Sequence, residues 1–528
     1  MILRKSLSSS SLRNEHILRY AAWLLCVLLL LFLVTASLHR KLDHDEHQFI
    51  ASAYLFAEKG FLPWVHYPYF HVPYLIFPYA LLFQLTDHLL LAARLFSVTC
   101  SVATIGLITL STVKAFEDDD PRTRFRVTVG SAALLVANPF FAYASGVSWN
   151  HDASVLLSVA ATLTFLAATR SSQPAAGMLL SGILLGTAIG TRLSVAPLLL
   201  PFAAGTFFLA NGDDRCRISF RSLRWLALGV TLALVPLLIF YAAAPDDFVF
   251  GNLRYAALNT EYRRAIGYHR AMSPVGKLSF LVERVLIDPG NILIFVLLAF
   301  AAKKASCKNV RTRAGKEVVF LLALFFFALL GSMAPTPSWY QYFYAPLPFL
   351  LLAALHATAL SYRRPRARRA LLRLFTVVVT LSCLRGAPEY WKIFFVNPEK
   401  RALATQAHRI GLEIRDRLNY GRVLTLAPIY PLEGGLEIYE AFASGPFAWR
   451  TSEFLSPADR QKYGIIAPGD LRSFLSTKPP DGILVGLEVD LERPLIEYAQ
   501  ENAYRPALLP LGLTLWISPS TADASQGP

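Results

Sequence analysis

Stretches of apolar residues long enough to cross a membrane recur through most of this chain, and no other feature limits its fold so strongly. A bilayer-spanning helix needs about 20 predominantly apolar residues. The strongest runs cover residues 20–38, 91–113, 127–147, 153–169, 225–244, 318–334 and 340–360. Between 175 and 210 the chain stays apolar for long enough to make a hairpin of two helices, interrupted at Gly190-Thr191-Arg192. The runs 287–302 and 370–384 are shorter, and the second contains Arg373. The reading is a polytopic α-helical membrane protein of about 11 spans. Composition agrees, because 54% of residues are hydrophobic and 16% charged, against about 25% charged in a soluble protein. A cytosolic enzyme, a disordered regulator and a disulfide scaffold are all excluded.

Lysine and arginine in short loops resist translocation and set the orientation. With the N-terminus in the cytoplasm, the inner side collects Arg4, Lys5, Arg13 and Arg19, then Lys114 with Arg122, Arg124 and Arg126. It also takes Arg170, the group from Arg215 to Arg224, the group from Lys303 to Lys316 and the group from Arg363 to Arg369. That register requires the aromatic and proline-rich run 72–85 to lie in the outer interface rather than to span. The formal charge of +15 then sits beside the membrane, where anionic headgroups account for it without nucleic acid. Cys26, Cys100 and Cys383 fall in spans and Cys216 and Cys307 in inner loops, so no disulfide is expected.

The expected organisation is a cytoplasmic segment 1–19, a membrane domain 20–389 with outer loops 39–90 and 245–286, and an extracytoplasmic domain 390–528. Past residue 390 the pattern alternates: a helix at 398–419, a strand at 422–427, a helix at 471–476 and strands at 482–487 and 513–518. A small C-terminal α/β domain follows, read as an accessory to acceptor binding, with a disordered tail of about ten residues.

Chemistry concentrates in the outer loops. Asp43-His44-Asp45-Glu46-His47 follows the first span directly and precedes an aromatic stretch. It reads either as a solvated loop or as carboxylates at a water-poor cleft, able to act as bases. His44 and His47 beside acidic residues leave a divalent cation open, although the spacing names no metal site. Trp149-Asn150-His151-Asp152 opens a later span, where Asp152 or Asn150 is a helix cap or a site residue. Arg192 either snorkels to headgroups or serves a functional interior. In the loop 246–284, Tyr255, Tyr262, Arg263, Arg264, Tyr268, His269 and Arg270 interleave cations and aromatics. That mixture suits a phosphate with a sugar or lipid, or an amphipathic surface helix.

Several of these segments, in this order, resemble the GT-C membrane glycosyltransferases. They are Asp45-Glu46-His47, then Tyr69-Phe70-His71-Val72-Pro73-Tyr74, Ala93-Arg94-Leu95, Asp152, Gly186 to Arg192, and Tyr340-Gln341-Tyr342-Phe343-Tyr344-Ala345-Pro346. The nearest groups are the family 39 or RgtA/B/C/D-like enzymes, related to protein O-mannosyltransferases and lipid A aminoarabinose transferases. The resemblance implies transfer of a sugar from a polyprenyl-phosphate donor to a lipid, glycan or protein hydroxyl, outside the cytoplasmic membrane. It implies Asp45 as general base with Glu46 as its partner, and places Asp152, Arg192, His71 and Tyr342 at the donor, where Arg263 and Arg264 are expected to join them on the strength of their own cation–aromatic loop. His71 stands where aminoarabinose transferases carry Lys, which leaves the donor headgroup open. A transporter or flippase of lipid-linked sugars is the competing reading; inverted sequence repeats would favour it, and the chain shows none.

Overall fold

The computed structural model describes residues 9–210, 215–305, 312–396 and 403–524. Arg4, Lys5, Cys307, Lys308 and Arg311, which entered the orientation and disulfide expectations, lie outside these residues. Among the described residues seven helices are long and apolar enough to cross a membrane. They are Tyr20–Leu38, Leu89–Ala115, His151–Ala168, Ser219–Ala243, Arg313–Met333, Tyr340–Tyr362 and Ala367–Phe395. The pair Pro274–Leu286 and Pro289–Lys304 bends by 67°, and Ala175–Thr191 and Leu193–Phe208 are shorter apolar helices. The fold class expected from the sequence, a polytopic helical membrane protein with a small C-terminal α/β part, is the one observed.

Several details differ from the hydropathy reading. The run 127–147 is two helices, Pro121–Val136 and Pro139–Ala144, because Asn138 caps the second and Pro139 cannot continue the first. The weak run 370–384 belongs to a helix of 31 residues, Pro365–Phe395, so membrane-type helix continues beyond residue 389. The first helix begins at Ser9, within the segment expected to precede the membrane. Pro519–Ala524 is helical where a disordered tail was expected. In the run 72–85 the helix is Ile76–Phe83, eight residues, too short to span.

Small residues set a close helix contact. Gly182 and Gly186 on Ala175–Thr191 face Gly229 and Ala233 on Arg215–Ala243. A Cβ on Gly182 would lie 2.1 Å from the Leu226 carbonyl oxygen, and one on Gly229 would lie 2.2 Å from that of Leu179. Without a hydrophobic driving force in lipid, such backbone proximity gives the packing its van der Waals strength.

Five strands among the described residues form one sheet, in the order β2-β1-β3-β5-β4. They are β1 (Arg422–Thr425), β2 (Glu437–Ile438), β3 (Gly482–Val485), β4 (Arg505–Leu508) and β5 (Thr514–Ile517). β1 pairs in parallel with β2 and β3, whereas β5 runs antiparallel to β3 and β4. Alternate side chains serve two cores. Val423 and Leu484 join the core shared with Leu403–Leu418 and the membrane helices. Leu424, Ile483 and Val485 pack with Leu495, Tyr498 and Trp449 on the other side. One hydrophobic core therefore runs from the bundle into the C-terminal layer, which fixes that layer over the outer loops.

Candidate functional site

The helix His44–Lys59 starts where Asp43 caps it. Asp43 accepts from the Asp45 amide, and Glu46 accepts from the Asp43 amide at 2.9 Å, a reciprocal capping box. Successive residues on a helix point about 100° apart, so the acidic cluster is divided. Asp43, His44 and Asp45 line a cavity of about 690 Å³. Glu46 instead is fully buried against Arg94, with Arg94 Nε to Oε1 at 2.9 Å and Arg94 Nη2 to Oε2 at 2.7 Å. It also accepts from the amide of Ser148 at 3.0 Å. Burial pushes the Glu46 carboxyl up, but the charge and hydrogen bonds of Arg94 outweigh it and hold the group below the usual range. Arg94 further donates to the carbonyls of Ser37, Arg40 and Lys41. Glu46, expected beside Asp45 in the site, is thus placed off the cavity, where it ties the first outer loop to Leu89–Ala115.

The second acidic candidate is likewise placed off the cavity. Asn150 and His151 line the cavity, whereas Asp152 is buried outside it, accepting from Ser101 Oγ at 2.6 Å and from the Gly146 amide at 2.8 Å. His47 also turns away, its Nδ1 3.5 Å from the Ile429 amide in the C-terminal layer. Arg264 is exposed and lies outside the cavity lining, while its neighbour Arg263 is part of it.

Asp45, His71, Arg192, Arg263 and Tyr342 meet at this one cavity. Gly190 allows it: the Tyr74 ring lies where a Cβ would sit, 2.2 Å away, and the Tyr74 amide donates to the Gly190 carbonyl at 3.1 Å. The helix then ends, and Arg192 is extended, with φ −153°. Its guanidinium donates to Asn150 Oδ1 at 2.8 Å and to Ser194 Oγ at 3.0 Å, and lies 4.8 Å from the Tyr342 ring centre. Arg263 stacks among Tyr262, Tyr268 and Trp339. Burial, then the charge of Arg450, lowers the Arg263 pKa. His71 stacks on Phe49 with ring centres 5.2 Å apart, and burial holds its pKa at about 4, so the ring is neutral at neutral pH.

The C-terminal layer supplies two wall residues that the sequence reading missed, Phe447 and Arg450. Arg450 lies 4.3 Å from the Phe447 ring centre. Tyr255 Oη donates to the Phe447 carbonyl at 3.0 Å, and the Tyr255 ring packs 4.0 Å from Phe70, so both outer loops clasp this segment. The domain expected to be only an accessory thus forms part of the cavity wall. Its signal in the sequence was slight: Pro446-Phe447-Ala448-Trp449-Arg450 is an aromatic–cation cluster like that of the loop 246–284.

Charge is unevenly distributed around the cavity. Among the described residues Arg192, Arg263 and Arg450 have no carboxylate within 4.0 Å, and the Nε atoms of Arg263 and Arg450 are buried without a partner. Buried charges are ordinarily paired, so three guanidinium groups without a carboxylate neighbour could hold an anion with several oxygens. Asp43, His44 and Asp45, which also line the cavity, place one ligand atom each within 4.8 Å of one another and could hold a divalent cation.

Residues 69–240 match the family model described as dolichyl-phosphate-mannose-protein mannosyltransferase. The chain also superposes on the crystal structure of ArnT from Cupriavidus metallidurans bound to undecaprenyl phosphate. The TM-score is 0.60 at 15% identity, over 96% of this chain and 99% of that one. At this identity the likeness shows a shared fold, the one that ArnT has. The apo ArnT structure from the same organism gives a TM-score of 0.59 at 13% identity, over 97% of this chain and 100% of that one. No curated protein sequence matches the chain. The likeness in fold to ArnT extends through the C-terminal layer, beyond the segments that carry the sequence resemblance.

Proposed function

We propose that this protein transfers a sugar from a polyprenyl-phosphate-linked donor to a hydroxyl of a lipid, glycan or protein acceptor on the outer face of the cytoplasmic membrane. The observation that carries the reading is the cavity in which Asp45 shares walls with three arginines lacking carboxylate partners. Its volume of about 690 Å³ falls within the usual range for a small-molecule site. Crystallised ArnT bound to undecaprenyl phosphate supports a lipid phosphate as the anion.

In this mechanism Arg192, Arg263 and Arg450 bind the donor phosphate. Tyr342 and His71 line the space beside it, His71 as a neutral ring. Asp45 takes the proton of the acceptor hydroxyl as its oxygen attacks the anomeric carbon. The bond from that carbon to the phosphate oxygen breaks, and the polyprenyl phosphate leaves with the bonding pair, its new charge held by the arginines. No nucleotide site is needed, since the leaving group arrives on its own lipid.

The test supplies purified protein with radiolabelled polyprenyl-phosphate sugars and a membrane extract. Transfer of label to an acceptor, lost when Arg192 and Arg263 are both replaced by Ala, is the expected result. Donor translocation between leaflets without any bond cleavage would support a flippase instead.

A further inference from the structure

A second cluster of chemically capable side chains lies away from the cavity, where the loop before Leu89–Ala115 meets the C-terminal layer. Asp87 and His88 stand immediately before that helix, and His408 projects from Leu403–Leu418. One oxygen of Asp87 lies 3.9 Å from His88 Nε2 and the other 3.9 Å from His408 Nε2. The two imidazole centres are 3.9 Å apart, and one ligand atom from each of the three residues falls within 4.8 Å of the others. None of the three lines the cavity.

Glu433 makes this arrangement more than a chance meeting. Its side chain is fully buried, with Oε1 accepting from the Leu90 amide at 2.7 Å and Oε2 lying 3.0 Å from His408 Nδ1. With that carboxylate as its partner Nδ1 serves as the donor, and Nε2, 3.9 Å from Asp87, is the nitrogen left for a metal. This is the carboxylate–histidine arrangement that orients a metal-bound imidazole and raises its basicity. Two imidazole nitrogens and a carboxylate suit zinc, whose bonds to such ligands are about 2.0–2.2 Å. Tetrahedral donors around zinc stand about 3.4 Å apart, so the three ligand atoms, within 4.8 Å of one another without the ion, draw closer when it binds. The Asp87 side chain is 78% exposed, which leaves the fourth position to water.

We propose that Asp87, His88 and His408 bind one zinc ion, with Glu433 as the orienting carboxylate. The ion staples the C-terminal layer to the first outer loop. The consequence is stabilisation rather than chemistry at the metal: Leu403–Leu418 carries the layer that supplies Phe447 and Arg450 to the cavity, and zinc holds it against the start of Leu89–Ala115. The proposal does not depend on the identity of the transferred group.

The test titrates zinc chloride into chelator-stripped full-length protein in detergent, by calorimetry and by thermal unfolding. Wild-type protein is expected to bind one zinc that is lost in Asp87→Asn and in His88→Ala/His408→Ala, and to melt higher with zinc than those variants do. Glu433→Gln is expected to weaken binding about 10- to 100-fold, the usual cost of losing an orienting carboxylate. His44→Ala/Asp45→Asn removes the other candidate ligand group and is expected to leave this zinc in place. Equal zinc binding by wild type, Asp87→Asn and the double-histidine variant overturns the proposal, as does no binding by wild type. Asp87 is exposed, so Asp87→Asn provides a folded comparison even if the double variant is unstable.

Discussion

Neighbouring residues in the two acidic motifs do different work, and substitutions can separate them. Asp45→Asn keeps the size and most of the hydrogen bonding of the side chain but cannot take a proton. It is expected to lower turnover by roughly 10²-fold or more while leaving donor affinity near wild type, measured by single-turnover transfer and donor titration. Arg192→Ala should show the opposite split, with weakened donor binding because a phosphate contact is lost. Glu46→Gln should act on stability, because it leaves Arg94 buried and without its charge partner; breaking such a pair costs about 3–5 kcal/mol, visible as a fall in melting temperature. His71 adds a pH signature. Its folded pKa of about 4 lies below the ordinary 6.5, so as pH falls below 6.5 the unfolded chain takes up a proton that the folded protein refuses. Stability from this residue is complete above pH 6.5 and is lost between about pH 6.5 and pH 4. In His71→Gln, thermal unfolding across that window should lose this part of its slope.

At the level of elements, the helix pair Ala175–Thr191 and Arg215–Ala243 positions Arg192, since Arg192 follows directly on the first of these helices. Gly182→Leu would drive a side chain into the Leu226 carbonyl and force the helices apart. The expected outcome is a protein with lowered melting temperature and impaired donor binding, although Gly182 does not line the cavity. The segment Pro446–Thr451 belongs to the C-terminal layer by sequence and to the cavity by position. Arg450→Ala in the full chain should therefore weaken donor binding, whereas an accessory domain reserved for acceptors would change acceptor affinity alone. Binding of a polyprenyl phosphate without sugar distinguishes the two, because no acceptor takes part.

For the whole molecule, the cavity is a junction of both outer loops, the ends of membrane helices and the C-terminal layer. Phe250 stacks on Tyr463 with ring centres 4.0 Å apart, and Lys462 pairs with Asp246 at 2.7 Å, so the layer is fastened to the second loop as well as to the first. An orientation with the cavity outward needs the basic loops inside. Reporter fusions after Ala305 and Arg364 should report cytoplasm, and one after Ser456 the exterior. A reversed signal at Ser456 would place the cavity on the cytoplasmic side and remove the basis for an extracytoplasmic donor.

The sequence by itself determined the membrane bundle, the α/β texture beyond it and the concentration of reactive residues in the loops between apolar runs, because hydropathy and side-chain alternation are local properties of the chain. It also brought forward Asp45, His71, Arg192, Arg263 and Tyr342, which the fold gathers at one cavity. The short strand β2 and the strand β4, with Pro506 at its second position, lacked an apolar pattern to mark them. Tertiary structure decided which member of each adjacent pair faces the cavity: Asp45 or Glu46, His151 or Asp152, Arg263 or Arg264. One residue is a turn of about 100° on a helix, and only the position of the neighbouring helix tells which direction is inward. It decided equally that Arg94 and Glu46, 48 residues apart, neutralise each other while Arg192, Arg263 and Arg450 remain without carboxylates. Pairing depends on distance in space, which the order of residues does not record.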